Sequence, residues 1–216
     1  MAVLTSLNLA SGELTVVRGA RGRYTQTGID KRPVEGPVET GHDQLVGDTI
    51  VHSYHGGPDQ AAYAYAGEDA AWWARELDRP APSGAFGENF TTDGLDVTNA
   101  VIGEVWQIGS ARFEVSCPRI PCQVFAAFWD VRDLVKRFTR AGRPGAYLRI
   151  HGPGRLAAGD EISLISRPDH GVTIGETFRA LTGDHSLAAR LLEAPQLPAT
   201  AHETARQWLA TAAPTD

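Results

Sequence analysis

Both cysteines of this chain lie in one short segment, SCPRIPC, which ends at Cys122. Pro118 and Pro121 restrain the backbone on either side of Arg119. Cys122 precedes a helical pattern, and a helix N-terminus lowers the pKa of a thiol. A thiolate beside a guanidinium suits either a nucleophile or a ligand for a soft metal. Cys117 follows strand residues and is better explained as a small buried side chain.

The segment TGIDKRPV places two cations, Lys31 and Arg32, directly before Pro33. Proline restricts the backbone of the residue that precedes it, so these cations are held in a limited range of positions. Two fixed cations suit a phosphate group. The alternative is the solvated start of a strand.

A glycine pair in HGGPDQA, Gly56 and Gly57, lets a ligand approach the backbone closely. We predict a helix just beyond the pair, and the N-terminus of that helix would favour an anion. His55 would lie at the mouth of this site. A lone histidine is, however, more often a structural group than a ligand.

The segment GAFGENF supplies Glu88 and Asn89 after Gly87. The amide of Asn89 offers both a donor and an acceptor to the edge of a ligand. The alternative is that Asn89 caps a turn.

Several common sites are missing from the sequence. It has no G-x-G-x-x-G, no Walker loop, no H-E-x-x-H and no C-x-x-C, and two cysteines cannot supply four ligands to an iron–sulfur cluster. Any redox chemistry would therefore need electrons from another protein. The net charge of −6 argues against nucleic-acid binding. No apolar run reaches membrane-spanning length and no signal peptide is evident, so we expect a cytoplasmic protein without membrane contact.

Short strands separate these segments. Period-two alternation in VLTSLNL and ELTVV predicts two strands near the N-terminus. A turn at Gly109–Ser110 is predicted to join two later strands. The later strands are predicted at 104–108, 112–115, 146–151 and 160–166. Many short strands at this spacing favour a β-barrel or a compact mixed sheet.

Two helical patterns interrupt the strands. The first covers 59–77, and the second runs from after Cys122 to Gly142 with a break near Asp130. Both end at residues that suit a helix terminus, Pro80 following the first and Gly142 closing the second.

After Arg167 the pattern of short strands ends, and the C-terminal part of the sequence predicts three short helices. Thr173 and Thr200 each begin the S/T-x-x-E pattern of a capping box, and Asp184 offers a further cap. We therefore predict an α+β chain, predominantly β, with a barrel-like domain over 1–168 and a three-helix domain over 169–216.

Five segments occur together in the order and spacing of a known family: GIDKRPV, HGGPDQAAYAY, GAFGENF, GEVWQIGSARFEVS and PRIPC. The chain resembles the MOSC domain family, named for the C-terminal domain of molybdenum cofactor sulfurase, and in particular its bacterial YiiM-like branch. The resemblance covers about 25–167, and the tail resembles the small helical extension of that branch. Cys117 departs from the family pattern, which has a polar residue such as glutamine there.

The resemblance implies a barrel-like MOSC fold that binds the molybdenum cofactor, with Cys122 as the ligand to molybdenum. Basic groups would hold the pterin phosphate, and glycine, amide and histidine groups would complete the cofactor site. The residues concerned are Lys31, Arg32 and Arg119, together with His55, Gly56, Gly57 and Asn89.

The resemblance also implies the reduction of N-hydroxylated compounds, such as hydroxylaminopurine base analogues, to the amine and water. His55 or Glu88 would supply a proton, and a separate flavin or iron–sulfur reductase would supply the electrons. The alternative function is a carrier that holds the cofactor, or a sulfur atom on Cys122, and transfers it to another protein. The sequence does not predict the oligomeric state.

Overall fold

A computed structural model describes residues 1–12, 14–18, 24–51 and 56–212. Within these residues the strands are β1 (Ala2–Leu9), β2 (Thr15–Arg18), β3 (Tyr24–Thr27), β4 (Arg32–Pro33), β5 (Val38–Glu39), β6 (Ala62–Ala66), β7 (Phe90–Asp93), β8 (Val105–Ile108), β9 (Ala111–Pro118), β10 (Ala146–Ile150), β11 (Arg155–Leu156) and β12 (Glu161–Ser166). The α-helices of the same residues are α1 (Gly67–Leu77), α2 (Gln123–Trp129), α3 (Leu134–Ala141), α4 (Ile174–Leu181), α5 (Ala188–Leu191) and α6 (Ala199–Ala212).

Seven of the described strands form a closed barrel in the order β12-β8-β9-β10-β6-β7-β1. The barrel closes where Ala2 pairs with Ile162 on the last strand. β6 and β7 run parallel, whereas the other neighbouring strands of the barrel are antiparallel. Closure leaves no open edge on the sheet. The prediction of a barrel-like α+β fold is confirmed.

The end of β1 also pairs with β4, where Leu9 lies opposite Arg32. This pairing brings the segment that carries Lys31 to one end of the barrel. The loops before β6 and β7, which the sequence singled out, finish at the same end, because these two parallel strands both begin there.

The predicted helix over 59–77 is wrong in its first half. The chain instead forms a short 3-10 turn, Pro58–Gln60, then β6, and α1 begins only at Gly67. In β6 the alanines face the barrel core and Tyr63 and Tyr65 face a second apolar cluster, so both faces of the strand are buried. The glycine pair therefore precedes a turn and not a helix N-terminus.

The second apolar cluster lies between β6 and the first three helices and is rich in aromatic rings. We call it the aromatic cluster; it contains Tyr63, Tyr65, Trp73, Phe86, Phe125 and Phe138. Tyr65 stacks on Phe86 with ring centroids 4.5 Å apart, and Phe125 meets Phe138 edge-on at 5.1 Å. Such pairs each add about 0.5–1.5 kcal/mol beyond the burial of their area.

Two predicted interruptions of secondary structure, a turn between strands and a break between helices, are confirmed. The turn at Gly109–Ser110 joins β8 to β9, which are paired in antiparallel register. Asp130 has a left-handed backbone, with φ of 51°, and separates α2 from α3.

The C-terminal helices α4, α5 and α6 pack onto the barrel. The backbone N–H of Ile102 donates to the carbonyl of Val172 at 2.9 Å, and Ile174 joins the barrel core while Phe178 joins the aromatic cluster. No helix within the described residues is long and apolar enough to cross a bilayer.

One of the predicted caps forms and two do not. Thr173 and Glu176 make a complete capping box at the start of α4. Helix α6 begins before Thr200, so the predicted box at Thr200 is wrong. Asp184 precedes a short 3-10 turn, His185–Leu187, without a capping bond from its side chain.

Thr173→Ala should lower the free energy of unfolding by about 1 kcal/mol, because Thr173 Oγ1 accepts the N–H of Glu176 at 3.1 Å. Thr200→Ala is the matched control, since the exposed Thr200 lies inside α6 and its loss should change stability by less than about 0.5 kcal/mol. Urea unfolding of both variants tests the pair. Equal losses would contradict the assignment of the cap.

Candidate functional site

A cavity opens at the barrel end where β6 and β7 begin. Its empty volume, including the open mouth, is ≈ 790 Å³. Its wall is mainly apolar and aromatic with a few polar groups. The lining residues are Thr27, Gly28, Ile29, Lys31, Asp48, Thr49, Ile50, Val51, Gly56, Gln60, Ala61, Tyr63, Phe86, Gly87, Asn89, Arg119, Ile120, Cys122, Val124 and Tyr147.

The structure brings much of the sequence-predicted site to this cavity: Lys31, Gly56, Asn89, Arg119 and Cys122 all line it. Gly57 precedes the turn Pro58–Gln60 beside it. Arg32 is exposed and donates to Asp30 at 2.8 Å. His55 lies outside the described residues.

The ammonium of Lys31 is buried and paired with Asp48. Its Nζ lies 2.6 Å from Oδ1 and 2.5 Å from Oδ2 of that carboxylate. Burial lowers the pKa of Lys31, and the attraction of Asp48 opposes this shift. The charge of Lys31 is thus already balanced by the protein, and its role in holding a phosphate stays a prediction.

Asn89 uses its amide within the protein. Its Nδ2 donates to Asp48 Oδ2 at 2.8 Å and to the carbonyl of Asn8 at 3.1 Å, while its Oδ1 accepts the N–H of Tyr63 at 3.1 Å. Asn89 therefore fixes Asp48 against β1 and β6. A contact with a ligand stays a prediction.

Glu88 is fully buried and is absent from the lining of the cavity. Its carboxylate accepts the N–H of Gly84 at 2.7 Å, the N–H of Phe86 at 3.0 Å and the hydroxyl of Thr91 at 2.9 Å. Burial raises the pKa of Glu88 to about 7, although these hydrogen bonds favour the ionised form. Glu88 shapes the 84–89 loop from behind the wall, and its role as a proton donor stays a prediction.

The 84–89 loop presses closely on the segment that carries Lys31. Gly84 has φ of +88°, and a Cβ there would lie 2.2 Å from the carbonyl oxygen of Lys31. Only glycine allows both this backbone conformation and this approach. The glycine therefore sets the distance between two walls of the cavity.

Arg119 is a buried cation that lacks a complete set of partners. Its guanidinium carbon lies 4.2 Å from the ring centroid of Phe125 and 5.6 Å from that of Tyr63. Its Nη1 is buried and makes no hydrogen bond to any described residue. An unpaired buried donor on a charged group costs free energy, so an anion that accepts a hydrogen bond from this guanidinium would be stabilising.

The two thiols have different surroundings. Cys122 is half-buried, lines the cavity and occupies the N-cap position of α2 without a capping bond from its side chain. Cys117 is buried in β9 opposite Tyr147, and burial raises its pKa to about 11. Among the described residues no group of three or more His, Cys, Asp or Glu side chains is placed to hold a metal ion. Cys122 is therefore the soft donor that the described cavity wall offers.

The loop with the glycine pair is anchored from the barrel wall. Ser116, the extra residue at an irregularity between β9 and β10, donates to the carbonyl of Asp59 at 2.8 Å. Arg149 Nε donates to the Asp59 carboxylate at 2.6 Å. These bonds hold the turn that places Gln60 in the cavity.

Sequence reasoning missed Asp48, Tyr63 and Tyr147. The alternation of alanine and tyrosine in AYAYA is a strand signal that places Tyr63 on one face of β6. Asp48 has no motif around it. Only the need of a buried lysine for a partner, known once the fold is known, identifies it.

The fold agrees with comparisons to known proteins. A family model described as MOSC domain matches residues 51–163, more than half of the chain. The chain therefore belongs to the MOSC domain family.

Its relatives define the branch of that family. The uncharacterized protein YflK of Bacillus subtilis is 36% identical over 156 residues, which cover 71% of this chain and 70% of YflK. Protein YiiM of Escherichia coli is 34% identical over 143 residues, 64% of each chain. A reductase of Gibberella moniliformis is 31% identical over 190 residues, 86% of this chain but only 34% of the relative.

The fold matches a solved structure over almost its whole length. The crystal structure of YiiM from Geobacillus stearothermophilus has a TM-score of 0.79 and 29% identity, and the match covers 97% of this chain and 100% of that one. Within the MOSC family the chain is thus YiiM-like.

Glu88 should make stability fall as the pH rises. Its folded pKa of about 7 lies above the ordinary 4.5, so the folded protein holds this proton more tightly than the unfolded chain does. Its contribution is complete below the unfolded pKa and is lost as the pH passes the folded pKa, a change on the order of 3 kcal/mol.

Denaturant unfolding between about pH 5 and about pH 8 tests this expectation. Glu88→Gln removes the titration, so its unfolding free energy should lack the decline seen in the native protein. Glu203→Gln, an exposed change on α6, should keep that decline. The same decline in Glu88→Gln would exclude Glu88 as its source.

Proposed function

We propose that the cavity binds the molybdenum cofactor, with Cys122 as the protein ligand to the metal, and that the loaded protein reduces N-hydroxylated compounds. The observation that carries the proposal is that one cavity of a MOSC domain is lined by both Cys122 and Arg119, a buried cation whose Nη1 lacks a partner among the described residues. Thiolate sulfur is a donor that suits a soft metal centre.

The residues present fit the cofactor on three counts. Arg119 offers a buried charged donor to an anionic group such as a pterin phosphate. Apolar and aromatic side chains, among them Phe86 and Tyr147, offer a dry surface to a flat ring system. The thiol of Cys122, half-buried in the cavity wall, offers a soft donor to the metal.

When bound, molybdenum would supply two-electron redox chemistry. The chain's own residues would bind the cofactor, orient it and exclude water from the inner end of the cavity. The sequence has no nicotinamide, flavin or iron–sulfur motif of its own, so the electrons would come from a separate flavin or iron–sulfur reductase. The similarity to a fungal protein named as a reductase supports an oxidoreductase function.

Elemental analysis and turnover test the proposed function. Protein made in a host that synthesises the cofactor should contain molybdenum and should convert a hydroxylaminopurine to the aminopurine with an artificial reductant, but not with NADH alone. Loaded protein that shows no turnover, yet restores activity to an apo-enzyme, would replace this proposal with the carrier function.

Cys122→Ser should remove molybdenum and activity together, because a hydroxyl is a hard donor of very high pKa. Cys117→Ser is the matched control: it should keep both, with at most a modest loss of stability from a buried hydroxyl. Metal content and turnover are measured on the same preparations. Equal loss in both variants would indicate a dithiol site instead.

Arg119→Ala should weaken retention of the cofactor by roughly 1.5–3 kcal/mol, the usual worth of a hydrogen bond to a charged group. Arg206→Ala is the matched control, since Arg206 is exposed on α6 and has no predicted role in the site. Molybdenum content after extended dialysis measures retention. Unchanged content in Arg119→Ala would contradict the assignment of the anion to this guanidinium.

A further inference from the structure

Lys31 is one of two lysines in a chain that has twenty lysines and arginines together. The other, Lys136, is exposed on α3. Lys31 lines the cavity, and both oxygens of Asp48 hold its ammonium. We propose that Lys31 donates the proton to the departing oxygen of the substrate, an inference that rests on the function proposed above.

The geometry leaves a proton of Lys31 available. An ammonium has three N–H groups, and the contacts with Asp48 account for two of them. Within the described residues the ammonium makes no further hydrogen bond. The third N–H is therefore free to donate to a molecule in the cavity.

The surroundings of Lys31 favour proton release. The charged groups that face it are Asp48 and, behind the wall, Glu88. Burial lowers its pKa despite both carboxylates, so the ammonium is a stronger acid than that of a lysine in water. A pKa nearer to the working pH makes an acid more effective in catalysis.

The other titratable side chains of the described wall suit this step less well. Arg119 keeps its proton at any accessible pH. Burial raises the pKa values of Tyr63 and Tyr147, which makes them weaker acids. The proposed function assigns the thiol of Cys122 to the metal, and Glu88 does not line the cavity.

The choice of lysine at this position agrees with a proton donor. An arginine would keep the charge and would pair well with a carboxylate such as Asp48, but its guanidinium does not give up a proton. The chain uses arginine for nearly all of its other basic residues. A purely structural ion pair does not require a side chain that can lose its charge, as lysine can and arginine cannot.

The reduction consumes two electrons and two protons. The hydroxylamine R–NH–OH takes two electrons, supplied by the external flavin or iron–sulfur reductase, and its N–O bond breaks. The Lys31 proton joins the hydroxyl oxygen to form water, and a second proton from solvent joins the nitrogen to form R–NH₂. The neutral Lys31 amine then regains a proton from water at the open mouth of the cavity.

Arginine and alanine variants of the loaded protein test the proposal. Lys31→Arg should keep its molybdenum and its KM, while kcat falls by about 100-fold or more, the usual contribution of a general acid. Lys31→Ala should lose activity likewise, and added methylammonium should restore part of it. Lys136→Arg, at the exposed lysine, should match the native protein.

A second measurement needs no cofactor. With only two lysines, side-chain NMR of the unloaded protein can follow Lys31 through a pH titration, and Lys136→Arg assigns the signals. Asp48→Asn removes the attraction that raises the pKa of Lys31, so this pKa should fall further. The alkaline limb of the kcat profile should move down by the same amount, because the neutral amine cannot donate a proton.

Several outcomes would overturn the inference. Native kcat in Lys31→Arg would do so, as would loss of molybdenum in that variant, which would make Lys31 a cofactor ligand. The proton would come from another group if the alkaline limb of the kcat profile did not move with the pKa of Lys31. The same would follow if His55→Gln removed that limb. Absence of turnover in the loaded native protein would overturn the proposed function and this inference together. If Asp48→Asn does not fold, the kcat of Lys31→Arg and the rescue of Lys31→Ala by methylammonium still test the proposal.

Discussion

A single buried carboxylate, Asp48, holds the walls of the cavity together. It accepts the backbone N–H of Ala10 at 2.8 Å, the ammonium of Lys31 and the amide of Asn89. These donors follow β1, precede β4 and precede β7, so they are far apart along the chain. Breaking a buried ion pair by removing one partner costs about 3–5 kcal/mol. The three segments are therefore fixed to one point, and the inner shape of the cavity depends on that point.

The cavity contains two buried cations that the protein treats differently. Lys31 has a carboxylate partner of its own, whereas Arg119 has aromatic faces around it and an Nη1 without a partner among the described residues. Aromatic faces stabilise a cation only partly and offer no acceptor in the plane of the guanidinium. An anionic ligand would therefore gain more from Arg119 than from Lys31. Under the proposals made above, Arg119 would bind the anionic ligand and Lys31 would donate the proton.

The sequence predicted the barrel, the turn after β8 and the break at Asp130, because each has a local signal in glycine, proline or alternation. Prediction from the sequence failed where tertiary contacts determine the local structure. AYAYAGEDAAWW is rich in alanine and resembles a helix, yet its first part is buried on both faces as β6. Asp48 and the burial of Lys31 had no local signal at all, since the partners of a buried ion are brought together only by the fold.

The stiff segment between β9 and α2 explains why two cysteines so close in sequence have different surroundings. Cys117 is still paired with Tyr147 in the barrel wall. The chain then leaves the sheet at Pro118, directs Arg119 into the aromatic cluster and exposes Ile120 at the surface. Pro121 follows, and the chain turns again so that Cys122 occupies the N-cap position of α2 at the cavity. The same two turns that separate the thiols thus bring the guanidinium of Arg119 and the thiol of Cys122 to the wall of one cavity.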